Sequence, residues 1–328
     1  IINAGAGNDI VTVAGSGDTI NGDAGDDTFT SGALTAVAGL SINGGDGSDT
    51  IRVTTGTTAD YSATGVSISN IEKVTLVSTG GATGVTFNNS QITGQSWLIT
   101  ADAAAQTDTL TVSVAAGASL DLSKLTFADN WAATDVVAIN GAGAQETIVG
   151  SIKNDTISGG AGIDTLTGGL GSDTFKISSG AAANRDIITD FKAGATTADT
   201  LNFNSGVATL TGTNNFAGAT SLQSVTTAGN TTVLAAAEVV AVRTATIADV
   251  TSANSLNGTN LLTALGGTLT GAIAGQNDIL IAVGITGGGT AVYYATSADN
   301  AIIASEISLI GVLQGVAVAD LVYTNFAN

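Results

Sequence analysis

Acidic residues recur every nine positions in two parts of this chain. Asp9, Asp18 and Asp27 form one run, and Glu146, Asp155, Asp164 and Asp173 form another. Three stretches satisfy a full nonapeptide, G-G-x-G-x-D-x-U-x, in which U is a large apolar residue. They are Gly44-Gly45-Asp46-Gly47-Ser48-Asp49-Thr50-Ile51-Arg52, Gly159-Gly160-Ala161-Gly162-Ile163-Asp164-Thr165-Leu166-Thr167, and Gly168-Gly169-Leu170-Gly171-Ser172-Asp173-Thr174-Phe175-Lys176. The other repeats are partial. Asp9 keeps Gly5 and Gly7, Asp27 keeps Gly22 and Gly25, and Asp155 keeps Gly150. Asp18 has Gly15 and Gly17 out of phase, and Glu146 stands in for the aspartate.

Such a unit has a specific physics. Glycine adopts the left-handed φ values of tight turns and leaves backbone carbonyls uncovered. The aspartate adds a carboxylate to that oxygen cluster. The U residues (Val11, Ile20, Phe29, Ile51, Ile148, Ile157, Leu166 and Phe175) fall two positions later. There they are expected in a short strand, pointing inward. Nine residues make a turn and a strand, so eighteen make a coil, and turns one coil apart stack on one edge. A hard cation fits between stacked turns with about six oxygen ligands at roughly 2.3–2.6 Å. All-oxygen ligation favours calcium over softer metals.

These repeats resemble the RTX (repeats-in-toxin) nonapeptides, which bind calcium in a parallel β-roll. The resemblance implies an all-β fold: a right-handed parallel β-roll or β-helix solenoid with calcium-binding nonapeptide turns and a small C-terminal cap. It implies several Ca2+ ions held at Asp9, Asp18, Asp27, Asp49, Asp155, Asp164 and Asp173. Turn residues Gly44, Gly45, Gly47, Gly159, Gly160, Gly162, Gly168, Gly169 and Gly171 would expose the carbonyl ligands. Asp9 is expected to pair across a coil with Asp27, Glu146 with Asp164, and Asp155 with Asp173. Asp49 has no partner that the spacing names. Arg185-Asp186-Ile187-Ile188-Thr189-Asp190-Phe191, followed by Asp199-Thr200-Leu201-Asn202-Phe203, resembles the segment that closes the roll in serralysin-type and related secreted RTX proteins. Asp186, Asp190 and Asp199 are therefore further calcium candidates. The alternative for them is a capping strand with solvated acids.

Composition removes most other chemistries. The 328 residues include no cysteine, histidine, proline or methionine. Disulfides, thiolate chemistry, a Ser-His-Asp triad and an HExxH zinc site are all excluded. Lys and Arg total 8 against 27 Asp and Glu, for a formal net charge of -19. Such a chain cannot bind nucleic acid by neutralising phosphates. A hydrophobic content of 44% argues against disorder. The most apolar stretch, Val233–Val242, contains Glu238 and is half the roughly 20 residues a membrane span needs. Paired carboxylates such as Asp26 with Asp27, or Asp186 with Asp190, could serve a glycosidase in principle. Their repeat context makes calcium ligation the stronger reading, and the chain is read as no enzyme.

Four regions are expected. Residues 1–52 and 141–203 form repeat blocks, the second with its closing segment. Residues 53–140 lack the glycine clock but keep β-branched runs such as Lys73-Val74-Thr75-Leu76-Val77 and Leu110-Thr111-Val112-Ser113-Val114. The economical reading is a solenoid continuing in longer, irregular rungs without helices. Asp108-Thr109-Leu110 and Asp135-Val136-Val137 echo the strand starts of the repeats. Residues 204–328 are expected to form a cap and a type I secretion region, with helical spacing over Ala304–Val316. Ala295–Glu306 has the outline of an EF-hand loop, with Asp299 and Glu306 in place but Ala295 and Ser297 at two ligand positions.

Val66-Ser67-Ile68-Ser69-Asn70-Ile71-Glu72-Lys73-Val74 resembles strands between RTX blocks of bacterial surface-layer (S-layer) proteins. That resemblance implies a structural protein of the cell surface, folded by extracellular calcium and self-associating into a two-dimensional lattice. Type I secretion machinery and an outer-surface polysaccharide, reached through a part preceding Ile1, would be its partners. No N-terminal signal peptide is visible, which agrees with that export route. The alternative is a calcium-folded secretion module of a larger type I-secreted enzyme or adhesin.

Overall fold

The computed structural model describes residues 1–35, 37–54, 56, 58–77, 81–101, 106–177, 182–203, 223–225, 239–252, 256–265, 269–270, 278–296 and 301–327. They fall into two units. One comprises residues 1–142 and 149–156; the other comprises 143–148 and 157–328.

In the first unit an eighteen-residue coil carries two strands, as the nonapeptide arithmetic requires. Ile2–Ala6, Thr19–Ala24, Ser41–Asp46 and Ser67–Ser69 stack in parallel, aligning Ile2, Ile20, Ile42 and Ile68. Ile10–Val13, Thr28–Ser31, Thr50–Thr54, Lys73–Val77, Leu98–Thr100 and Thr126–Phe127 form a second parallel stack. Its inward column is Val11, Phe29, Ile51, Val74 and Ile99, in register. The U residues behave as the alternation predicts: Val11, Ile20, Phe29, Ile51, Ile148, Ile157, Leu166 and Phe175 are all buried.

The coils lengthen along the chain, and the cross-section changes with them. Stacked positions lie 18 residues apart at Asp9 and Asp27, 22 at Asp27 and Asp49, and 27 at Asp108 and Asp135. The extra residues supply a third strand per coil. Thr58–Asp60, Gly84–Asn88, Thr109–Ser113 and Val136–Asn140 stack in parallel on this new face. Parallel pairing thus runs through the stretch that lacks the glycine clock. Larger side chains fill the wider interior: Tyr61 stacks on Phe87 at 5.6 Å, and Phe87 meets Trp97 edge-on at 5.3 Å. A single helical turn, Asn89–Ile92, interrupts this region and is too short to leave a periodic signal. Its buried Gln91 donates to the Tyr61 carbonyl at 2.8 Å.

The second unit starts as a roll and ends as a mixed sheet. Thr165–Thr167 pairs in parallel with Asp186–Ile188, and Thr174–Lys176 with Thr200–Asn202. Ile307–Leu313 then lies parallel to Asp186–Ile188 on one side. On its other side it runs antiparallel to Thr290–Thr296, which runs antiparallel to Asp278–Ile285. Leu261 and Leu265 pack against Ile281, Tyr293 and Leu309 beneath this sheet. The helical spacing of 304–316 is overturned: only Ala304–Glu306 is a 3₁₀ turn, and Ile307–Leu313 is a strand. That strand is apolar on both faces, so its period-2 signal disappears. A distant segment returns to the roll. Phe326–Ala327 pairs with Thr200–Asn202, and Asn325 Nδ2 donates to the Asp199 carbonyl at 2.9 Å, 126 residues away.

Candidate metal centre

The turns of the first unit stack their acids into a hydrogen-bonded ladder. Asp9 N–H donates to Asp27 Oδ1 at 2.8 Å, and Asp27 N–H donates to Asp49 Oδ1 at 2.8 Å. Asp49 N–H donates to Glu72 Oε2 at 2.8 Å. The carboxylates of Asp27, Asp49 and Glu72 are therefore each fixed through one oxygen by the coil before. The partner of Asp49 that the nine-residue phase could not name is Asp27 on one side and Glu72 on the other. An outer ladder runs beside this one, where Asp26 N–H donates to Asn8 Oδ1 and Ser48 N–H to Asp26 Oδ1, both at 2.9 Å.

The second oxygen of each rung is the informative one. Oδ2 of Asp9, Asp27 and Asp49 is buried and accepts no hydrogen bond among the described residues. Ionised carboxylate oxygens without a donor are costly inside a protein. The first glycine of each turn shows what lies beside them. A Cβ on Gly22 would strike Asp27 Oδ2 and the Gly44 carbonyl oxygen, and one on Gly44 would strike Asp49 Oδ2 and the Asn70 carbonyl oxygen. Neither glycine is in the left-handed region, so what they provide is space. The left-handed turn is made at the next positions, with φ of 109° at Gly45 and 139° at Gly47. The turn thus brings an unsatisfied carboxylate oxygen and a backbone carbonyl oxygen to one point, with no donor between them.

The second unit repeats the arrangement. Glu146 N–H donates to Asp164 Oδ1 at 2.7 Å, and Asp164 N–H to Asp186 Oδ1 at 3.2 Å. Oδ2 of Asp164 and of Asp186 is buried without a donor among the described residues. Gly159 and Gly168 lie against Asp164 Oδ2 and Asp173 Oδ2 as Gly44 does against Asp49. Glu146 and Asp164 are brought together as the spacing predicts.

Electrostatics favours a cation at these points. Burial raises the carboxyl pKa of Asp49, and the neighbouring charges of Asp27 and Glu72 raise it further. Burial likewise raises Asp164 and Asp186; the charge of Glu146 adds to the first, and that of Asp164 to the second. A divalent cation would remove both causes. Among the described residues no three acidic side chains converge on one point. The oxygens available are one or two carboxylates plus turn carbonyls, a hard, oxygen-only set that fits calcium.

Other candidates are held differently. Asp18 lies on the opposite edge, where the aligned positions are Leu40 and Val66, so no second carboxylate stacks on it. Asp155 accepts from Ser151 N–H at 2.6 Å and from Ser151 Oγ at 2.9 Å, using both oxygens. Asp190 caps the turn of the last repeat, accepting Gly168 N–H and Gly169 N–H at 2.8 Å each. Asp199 accepts Asp173 N–H at 2.9 Å and Lys192 N–H at 2.7 Å. Of the closing segment's acids, Asp186 alone presents a buried oxygen that lacks a donor among the described residues; Asp190 and Asp199 act as caps. Asp135 is a further acid of the capping kind, with Asp108 N–H on Oδ1 and Ala132 N–H on Oδ2. In the EF-hand outline, Ser297, Asp299 and Asn300 lie outside the described residues. Among the described residues no helix is long and apolar enough to cross a membrane.

Comparison with known families agrees with the geometry. Residues 3–33, 41–57 and 140–175 match the model of the RTX calcium-binding nonapeptide repeat (4 copies). No curated protein matches the chain. These stretches carry the RTX calcium-binding nonapeptide repeat, and the described residues are nearly all strand, paired in parallel through the repeats.

Proposed function

We propose that the chain is a calcium-folded structural module of a secreted cell-surface protein. In this reading it assembles with its own copies into a two-dimensional lattice and is not an enzyme. The observation that carries it is the column of buried Oδ2 atoms at Asp9, Asp27 and Asp49, matched by those at Asp164 and Asp186. When calcium is scarce these carboxylates repel one another, and the glycine-rich turns cost much chain entropy to order. At an ion concentration 100-fold above the dissociation constant, each independent site adds about 2.7 kcal/mol. Several sites coupled through one ladder make the transition steep. Export through a type I machine in the unfolded state, followed by folding in extracellular calcium, follows from that switch.

Two features support assembly. Only 11% of residues are charged. The outward positions of the stacked strands also present threonine in register, as at Thr12 with Thr30 and Thr28 with Thr50. Uncharged, β-branched rows on flat sheets suit close lateral packing. Negative-stain electron microscopy of the purified chain, with millimolar calcium and with chelator, is the test. Ordered sheets only in calcium are expected. Folded but dispersed particles in calcium would replace the lattice reading with that of a secretion module for a larger protein.

A further inference from the structure

The hydrogen-bonded ladder does not stop where the repeats stop. Family similarity in this run ends at residue 57, and residues 67–73 (Ser-Ile-Ser-Asn-Ile-Glu-Lys) contain no glycine and no aspartate. Yet this turn places its oxygens as a repeat does. At Gly22 the adjoining oxygens are Asp27 Oδ2 and the carbonyl of Gly44, one coil later. At Gly44 they are Asp49 Oδ2 and the carbonyl of Asn70, one coil later again. Glu72 Oε2 accepts Asp49 N–H at 2.8 Å, the role that Asp49 Oδ1 has for Asp27. Asn70 also supplies the left-handed turn, with φ of 51° and no glycine. Asparagine is among the few residues that tolerate this. Its side chain is tied down, with Nδ2 donating to Asn43 Oδ1 at 2.7 Å.

We propose that Asp49, the Asn70 carbonyl and Glu72 form a further divalent-cation site, one coil beyond the last nonapeptide of the first run. The inference rests on the calcium reading of the repeats. Asp49 is fully buried, and its Oδ2 faces this point without a donor. Asp49 and Glu72 together carry the two negative charges that neutralise one calcium ion. The longer glutamate side chain suits a turn whose backbone lacks the glycine pair. The site also lies where the coil widens from two faces to three, so the ion would fasten the regular roll to its irregular continuation.

The test counts ions on the full chain by competition with a chromophoric chelator, and follows terbium emission sensitised by tryptophan. Leu98 N–H donates to the Glu72 carbonyl at 2.8 Å, which sets Trp97 beside Glu72 on the next coil. Glu72→Gln keeps an acceptor for Asp49 N–H but removes the charge. It is expected to bind one ion fewer and to lose sensitised emission several-fold. Asp164→Asn should also bind fewer ions but keep that emission. Trp97→Phe leaves every ligand in place and should dim the emission without changing the count, which decides the matter if Glu72→Gln does not fold. An unchanged count in Glu72→Gln, or unchanged emission in Trp97→Phe, overturns the site while leaving the repeat sites standing. A wild-type chain that takes up neither ion overturns both.

Discussion

Asp27 N–H and Asp49 Oδ1 are joined by a 2.8 Å hydrogen bond across 22 residues, while Oδ2 of each aspartate accepts nothing among the described residues. One oxygen positions the coil and the other faces the proposed cation position. The two roles can therefore be separated by substitution.

Asp27→Asn keeps an acceptor for Asp9 N–H and turns an amide nitrogen toward the Gly44 carbonyl. In chelator this variant is expected to melt above the wild type, because a buried carboxylate oxygen without a donor is replaced by an amide that can donate to the Gly44 carbonyl. In calcium it is expected to bind at least about tenfold more weakly at that rung, equivalent to about 1.4 kcal/mol. Paired thermal melts and calcium titrations check both signs.

Gly44→Ala and Gly15→Ala separate space from glycine content. A Cβ at Gly44 meets Asp49 Oδ2 and the Asn70 carbonyl, whereas none of the described residues lies near one at Gly15. The first should cost about 1–3 kcal/mol, as overpacking does. The second should stay within about 0.5 kcal/mol of wild type, as open surface positions do. Denaturant unfolding in saturating calcium measures the difference.

Asp155→Asn tests the engaged acids. Both Asp155 oxygens are held by Ser151. The amide should weaken that turn by about 1–3 kcal/mol. The calcium count by chelator competition should not change.

The ion-free chain should lose stability as pH rises. Asp49, Asp164, Asp186 and Asp199 all have pKa values raised above the ordinary carboxylate value, chiefly by burial. Between the ordinary and the raised values the folded state holds more protons than the unfolded one. That contribution is complete below the ordinary pKa and disappears as pH climbs through the raised ones. Melting temperature in chelator should therefore fall between about pH 4, the ordinary carboxylate value, and about pH 8, the raised value of Asp186. With calcium present the trend should reverse, since the ion binds only the deprotonated carboxylates.

The nine-residue phase makes the U column and the Asp9–Asp27 and Glu146–Asp164 rungs legible in the sequence itself. It fails where coils lengthen. Asp49 stacks across 22 and 23 residues, so no fixed period reaches Asp27 or Glu72. Glu72 carries no motif of its own; only Asn70, a tolerated left-handed residue two positions earlier, hints at a turn. Asp108 and Asp135 echo the repeat strands and do form a rung, with Asp108 N–H on Asp135 Oδ1 at 2.9 Å. Asp155 looks like its neighbours in phase, but Ser151, four residues upstream, takes its carboxylate. Local hydrogen bonding of that kind is invisible to spacing.

The 126-residue reach from Asn325 to Asp199 sets a folding order. Rungs of the first unit close loops of 18 to 27 residues, each laid on the one before. Closing a loop about seven times longer costs only about 2 kcal/mol more, so equilibrium stability hardly registers it. Rate does, because non-local pairing is slow. The first unit can zip up coil by coil, while the second stays half-made until Phe326–Ala327 reaches Thr200–Asn202.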